Sequence, residues 1–123
     1  MADLTVTVDG RELAAEWTGE NSEVRDALAD ALPVAGDATR WGDELYFSVP
    51  IDAAAESTRT EVPEGAVAYW PAGDVLCLFW GPTPASVGDE PRAAEDVAVV
   101  ATVEDVTLLD DLDGGATVRV EER

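Results

Sequence analysis

The chain contains no histidine and no lysine, and its only cysteine is Cys77. The lack of histidine excludes triads that depend on a histidine base and zinc sites built from cysteine and histidine. A single cysteine cannot form a disulfide within the chain, and its position inside VLCLFW predicts a small buried side chain. The phosphate-binding patterns GxxxxGKS/T and GxGxxG are also absent. We therefore expect neither a metal site nor a cofactor.

Positive charge is scarce, whereas negative charge is abundant along the whole chain. Seven basic residues, all arginines, stand against 27 acidic ones, which gives a formal net charge of -20 at pH 7. The acids are dispersed and 46% of the residues are hydrophobic, so we expect a folded domain with an anionic surface. Because salt at about 1 M shortens the Debye length to roughly 3 Å, this surface favours a halophilic protein over an acidic domain that docks on a basic partner. Equal stability at low and high KCl would contradict the halophile hypothesis.

Long apolar runs and an N-terminal targeting signal are missing as well. No stretch of about 18 apolar residues could span a membrane, and residues 1–3 lack the basic and apolar regions of a signal peptide. An anionic surface is a poor partner for nucleic acid and for anionic membranes. We expect a single cytoplasmic domain over residues 1–123, with no nucleic-acid or membrane partner and with its oligomeric state left open.

The hydrophobic periodicity predicts about eight short strands. Residues 4–8 and 11–17 alternate around the turn Asp9-Gly10 and predict an opening hairpin. The other predicted strands are 34–40, interrupted at Gly36-Asp37, then 44–49, 57–62 at a sheet edge, 66–70, 75–80, 97–103 and 116–120, with a helical turn at 107–112. Every position of 75–80 is apolar, so both faces of that strand require cover.

Only one segment has convincing helical periodicity. Residues 22–32 repeat apolar side chains at helical spacing, Asn21 or Ser22 can cap the N-terminus, and Pro33 ends the segment. A single amphipathic helix is suited to covering one side or end of a sheet. The pattern therefore predicts a mainly β fold, an antiparallel barrel or sandwich with a helical cap.

Aromatic side chains cluster around Arg40, both in the segment 40–47 and in the central hairpin. An aromatic pocket with one guanidinium suits a peptide or a carbonyl-bearing small molecule, because rings hold apolar groups and arginine donates to a carbonyl. The candidate ligand-binding residues are Trp41, Glu44, Tyr46, Tyr69, Phe79, Trp80 and Thr83. The competing interpretation is an aromatic core in which Arg40 pairs with Asp43 or Glu44.

Two further segments allow a functional and a structural interpretation. Gly81-Pro82-Thr83-Pro84 can be the rim of a ligand site or a stiff corner that turns the chain out of the sheet. Residues 110–115, DDLDGG, lack the alternating acids and the terminal glutamate of a calcium loop, so we interpret them as a solvated acidic turn.

The stretches WGDELYF, GAVAYWP and FWGPTP resemble motifs of a family of small prokaryotic proteins with the cyclophilin-like fold. The resemblance spans nearly the whole chain, and it implies a closed, eight-stranded antiparallel barrel with helical cover. Most of these small proteins have no known function, whereas classical cyclophilins are peptidyl-prolyl isomerases. If the chain were such an isomerase, the resemblance would make Arg40 the catalytic residue and Phe79 the floor of the proline pocket.

Three classes of function follow from these observations. A binding protein requires a concave pocket reached by Arg40, Tyr46, Tyr69 or Trp80. An isomerase requires Arg40 to point into that pocket without being held by a carboxylate. A structural subunit requires a flat, exposed apolar patch. Of these, the binding of a peptide or small molecule in an aromatic pocket, without established catalysis, is the primary hypothesis.

Overall fold

The computed structural model describes residues 2–123, in which nine antiparallel strands form one sheet. The strands are β1 (Leu4–Val8), β2 (Arg11–Trp17), β3 (Val34–Arg40), β4 (Glu44–Ser48), β5 (Arg59–Glu61), β6 (Ala66–Trp70), β7 (Val75–Phe79), β8 (Arg92–Val103) and β9 (Ala116–Glu122). Their order is β2-β1-β9-β3-β4-β7-β6-β8-β5, and β2 also pairs with β8. This pairing closes eight strands into a ring and leaves β5 as an edge strand on β8. The predicted closed antiparallel β fold is confirmed.

The helix α1 (Ser22–Ala31) also lies where the sequence predicts it, and it ends before Pro33. The Asn21 side chain does not cap it, because its amide donates to Val99 O at 3.1 Å and its Oδ1 accepts from the backbone of the segment 56–57. Glu56 supplies the cap instead, accepting hydrogen bonds from Ser22 Oγ and from the Glu23 backbone N–H. Within residues 2–123 no helix combines the length and the apolar composition needed to cross a membrane.

Two apolar clusters lie on opposite faces of the central strands. The larger cluster fills the ring with side chains from all eight of its strands and from α1, including Leu76 and Leu78 of β7. The smaller cluster covers the outer face of β6, β7 and β8 and contains Cys77 and Phe79. Strand β7 therefore alternates between two cores, and the expectation that both of its faces are covered is confirmed.

Several observed elements differ from the predicted ones. Strand β3 continues through Gly36 without interruption. This glycine does not form a turn but leaves space for the Phe47 ring, since an added Cβ would lie 3.2 Å from Phe47 Cδ2. Strand β8 begins at Arg92 and not at residue 97, since its first half pairs with β5. The predicted edge strand shortens to β5, and the turn at 107–112 contains a 3-10 helix at Thr107–Leu109.

Candidate functional site

The turn between β3 and β4 rests on the loop that follows β7. The Asp43 backbone N–H donates to Pro82 O at 3.0 Å, and the Trp80 backbone N–H donates to Asp43 O at 3.0 Å. Gly42 has a φ of +61°, and a Cβ there would lie 2.7 Å from Thr83 Cα. The turn can approach the loop this closely only because it has glycine at this position. The contact fixes the position of Trp41 before β4 begins.

Thr83 fastens the same loop to the start of β8. Its side chain is buried, donates to Arg92 O and accepts from the Ala85 backbone N–H at 3.2 Å. The Thr83 backbone N–H donates to Ser86 Oγ at 2.9 Å. Both polar ends of Thr83 are therefore used within the protein, which favours the stiff-corner interpretation of this segment.

A cavity of about 270 Å³ lies against the outward face of β4 and β7, with the first half of β8 as its opposite wall. Alternation along β4 directs Glu44 and Tyr46 outward, and Tyr46 pairs with Cys77 of β7. The cavity is lined by Trp41, Glu44, Tyr46, Trp70, Val75, Cys77, Ala93, Ala94, Glu95 and Val97. It is therefore a mostly apolar concavity with three aromatic side chains and two carboxyl groups.

Glu44 is the buried carboxyl group of this cavity, with only 6% of its surface exposed. Burial raises the pKa of its carboxyl to about 7, although a hydrogen bond with the Cys77 side chain lowers it. The pKa of the Cys77 thiol is also raised, first by its own burial and then by the neighbouring Glu44. Glu44 can thus gain or lose a proton near neutral pH inside an aromatic cavity.

Trp70 takes its place in the wall because the turn after β6 contains glycine. A Cβ added to Gly73 would lie 2.4 Å from Cε3 and Cζ3 of the Trp70 indole. Any larger residue at position 73 would therefore displace the ring. The turn between β6 and β7 determines the shape of one side of the cavity as well as connecting the strands.

Arg40 lies outside the cavity wall, and each of its three guanidinium nitrogens donates a hydrogen bond within the protein. Its Nε donates to Gly42 O at 2.7 Å, one Nη donates to Leu112 O, and the other pairs with Asp43 Oδ1 at 2.9 Å. The guanidinium also lies 5.3 Å from the ring centroid of Trp80. The competing interpretation, in which Arg40 pairs with Asp43 or Glu44, is confirmed for Asp43. The condition set for an isomerase, an arginine free of carboxylates and facing the pocket, is not met.

The other predicted ligand-binding residues divide into two groups. Trp41, Glu44 and Tyr46 come together in the cavity wall, whereas Tyr69, Phe79, Trp80 and Thr83 lie elsewhere. Tyr69 is fully buried, and its hydroxyl lies 2.9 Å from Ile51 O and 2.8 Å from Asp74 Oδ1. Burial, followed by the hydrogen bond with Asp74, raises the pKa of Tyr69 to about 12. Phe79 and Trp80 are also buried, in the outer and the inner cluster.

The sequence interpretation missed most of the wall that β7 and β8 provide. The sequence predicts Cys77 only as a core residue, although it also faces the cavity, and Trp70 only as one of the aromatic residues of the central hairpin. No local sequence pattern marks Ala93, Ala94 and Glu95 as site residues, because they reach the cavity only through the antiparallel pairing of β8 with β5. The continuous apolar run along 75–80, which requires cover on both faces of the strand, is the one signal that could have identified Cys77. No group of three or more potential ligands that could hold a metal occurs within residues 2–123.

Comparisons with known proteins agree with this architecture. The hypothetical protein AF2241 from Archaeoglobus fulgidus, known from a solution structure, is 36% identical with a TM-score of 0.78, over 99% of this chain and 95% of that one. The structure of McbB in complex with tryptophan shares the fold at 15% identity and a TM-score of 0.72, over 98% of this chain and 44% of that one. A search of curated proteins gives no match. The sequence model of the Cyclophilin-like family matches residues 2–121, and the chain belongs to this family.

Proposed function

We propose that this protein binds a small molecule in the cavity between β4, β7 and β8. The observation that carries the proposal is that Trp41, Tyr46 and Trp70 line the same cavity as the buried carboxyl of Glu44. Ligand sites in proteins are typically apolar, aromatic-lined concavities with a few polar groups that orient the ligand. Glu44 and the Cys77 thiol are the buried polar groups of this wall.

The size of the cavity favours a compact ligand over an extended peptide. Its volume of about 270 Å³ lies near the lower end of ligand pockets, which span roughly 300–1,000 Å³. At about 30 Å³ for each water molecule, it is equivalent to roughly nine waters. A single ring system with a short side chain fits this space, whereas a peptide would place only one side chain in it.

Backbone NMR with indole as the probe tests the proposal. Indole is a suitable choice because McbB, which shares the fold, has been solved with tryptophan bound. In molar KCl we expect saturable shifts for amides of β4, β7 and the first half of β8, and no comparable shifts in α1. Saturable shifts confined to other elements, or none in the folded protein, would contradict the proposal.

A matched pair of variants locates the binding. Ala94→Phe adds a ring at an exposed position of the cavity wall and should weaken indole binding at least about tenfold, through steric exclusion. Ala54→Phe adds the same ring at an exposed position outside the wall and should leave binding unchanged. Equal effects of the two substitutions would show that indole binds elsewhere.

A further inference from the structure

The cavity has an unbalanced charge. Its charged lining residues, Glu44 and Glu95, are both acidic, and no arginine is among the residues that line it. Arg92, adjacent in sequence to the wall residue Ala93, is held by Glu90 at 2.9 Å and by Glu61 at 3.2 Å. Arg40 is likewise held by Asp43. Within residues 2–123, therefore, no cationic side chain lines the cavity beside the Glu44 carboxyl.

A buried carboxylate without a cationic partner is unfavourable, and two events can relieve it. It can take up a proton, or it can pair with a cation that enters the cavity. The walls favour the second event, because tryptophan and tyrosine rings attract organic cations through their quadrupoles. Three such rings, Trp41, Tyr46 and Trp70, share this cavity with Glu44.

We infer that the cavity takes aromatic amines in their ammonium form, with the Glu44 carboxylate as counterion and Trp41, Tyr46 and Trp70 as the apolar walls. This inference rests on the proposed function and specifies its ligand class. The ligand has a ring system that fills the apolar part of the cavity and a short arm that carries the ammonium group to Glu44. Carboxylates and phosphates of the same size are excluded, because they would meet Glu44 and Glu95 without a basic partner.

The groups that face Glu44 determine how this binding depends on pH. Cys77 faces it from β7, Tyr46 lies on its own strand, and Glu95 lines the cavity from β8. The raised pKa of the Cys77 thiol keeps that group neutral through the neutral range. Because the pKa of Glu44 is about 7, the carboxylate needed for ammonium binding forms as the pH rises through neutrality. Affinity for an ammonium ligand should increase about tenfold between pH 6 and pH 8, whereas affinity for a neutral analogue should not increase.

Three indoles of nearly equal size test the inference by titration calorimetry in molar KCl at pH 8. Tryptamine is cationic, tryptophol is neutral and indole-3-acetate is anionic. We expect tryptamine to bind at least about tenfold more tightly than tryptophol, and indole-3-acetate to bind most weakly. Glu44→Gln should reduce tryptamine affinity to that of tryptophol. The control Glu64→Gln removes one exposed acid outside the cavity and should retain the preference for tryptamine.

Each alternative outcome has a separate meaning. Equal or tighter binding of tryptophol, or binding of indole but of none of the three ligands, would overturn the ammonium inference and leave the small-molecule site in place. If the folded wild-type protein bound neither indole nor tryptamine, this result would contradict the proposed function itself. The pH profile of the wild type provides a second test that needs no variant, since a flat profile for tryptamine would also overturn the inference.

Discussion

Arg40 and Glu44 lie at the two ends of one turn, each near a tryptophan, and their surroundings differ in a way that distinguishes structure from function. Arg40 has hydrogen-bond acceptors for all three of its guanidinium nitrogens and contacts the Trp80 ring. Glu44 faces a cavity together with Trp41, and among residues 2–123 its side-chain hydrogen-bond partner is the Cys77 thiol alone. A charge whose partners all come from the protein stabilises the fold, whereas a buried charge without an opposite partner is available to a ligand. Substitutions in the two regions should therefore have different effects.

The largest expected effect is the loss of stability on removing the Arg40 side chain. Arg40→Ala removes the ion pair with Asp43 and the Trp80 contact, and it leaves Leu112 O without its donor. We expect a decrease of about 3 kcal/mol in the free energy of unfolding, with tryptamine affinity unchanged. Urea unfolding in molar KCl measures the first quantity, and calorimetry on the folded variant measures the second.

A matched control for this substitution is Arg119→Ala. Arg119 forms a more exposed pair with Glu121 at 3.5 Å, and its loss should lower the free energy of unfolding by less than about 0.5 kcal/mol. Equal stability of the two arginine variants would show that the contacts of Arg40 with Asp43, Leu112 and Trp80 stabilise the fold no more than an exposed ion pair does.

The second prediction is that replacing Glu44 stabilises the protein at high pH, in contrast to the loss of stability expected for Arg40→Ala. The pKa of Glu44 is about 7 in the folded protein against 4.5 for the ordinary value, so between these pH values the folded chain retains a proton that the unfolded chain releases. The stabilisation that comes from this retained proton is fully present below pH 4.5 and is lost as the pH rises through about 7. Glutamine does not titrate. Glu44→Gln should therefore gain about 2 kcal/mol relative to the wild type between pH 5 and pH 8.

Urea unfolding of the two proteins at a series of pH values measures this difference. Glu64→Gln, tested in the same way, should show no comparable gain because Glu64 is exposed. Parallel stability curves for the wild type and Glu44→Gln would mean that the carboxyl carries no burial penalty, and the contrast with Arg40 would then fail.

The smallest effects are expected from adding one methyl group to each region. Gly81→Ala would place a Cβ 2.4 Å from Asp43 Oδ2 and disturb the Arg40 pair, whereas Gly73→Ala would displace the Trp70 indole. We expect Gly81→Ala to lower the free energy of unfolding by about 1–2 kcal/mol without changing tryptamine affinity. Gly73→Ala should weaken tryptamine binding several-fold with a smaller change in stability. If instead Gly81→Ala weakened tryptamine binding and Gly73→Ala mainly lowered stability, the two regions would be coupled.

Local signals predict most of the fold. Alternating apolar residues identify the strands β1, β2 and β4, and the apolar run of β7 correctly indicates cover on both faces. The interruption predicted at Gly36 was wrong, because a glycine at a turn and a glycine beneath an aromatic ring look alike in a sequence. The first half of β8 was missed because residues 92–96 lack strand alternation and are ordered by pairing with β5.

The candidate site was predictable only where it follows from one strand and its turn. Trp41, Glu44 and Tyr46 belong to a single continuous motif, and alternation places the last two on one face. Tyr69, Phe79 and Trp80 have the same aromatic chemistry but are buried in the two cores, and composition alone cannot separate a core ring from a cavity ring. Glu95 reaches the cavity from a distant part of the chain, so no short-range pattern could identify it.

Intermolecular NOEs between tryptamine and the protein, recorded at pH 8 in molar KCl, show directly whether the ligand lies beside Glu44 or beside Arg40. We expect NOEs from the ligand to the Cys77 β-protons and to the methyl groups of Val75 and Val97, all of which line the Glu44 cavity. NOEs to Trp80 and Leu112 would place the ligand beside Arg40 and would show that the Glu44 cavity is not the binding site.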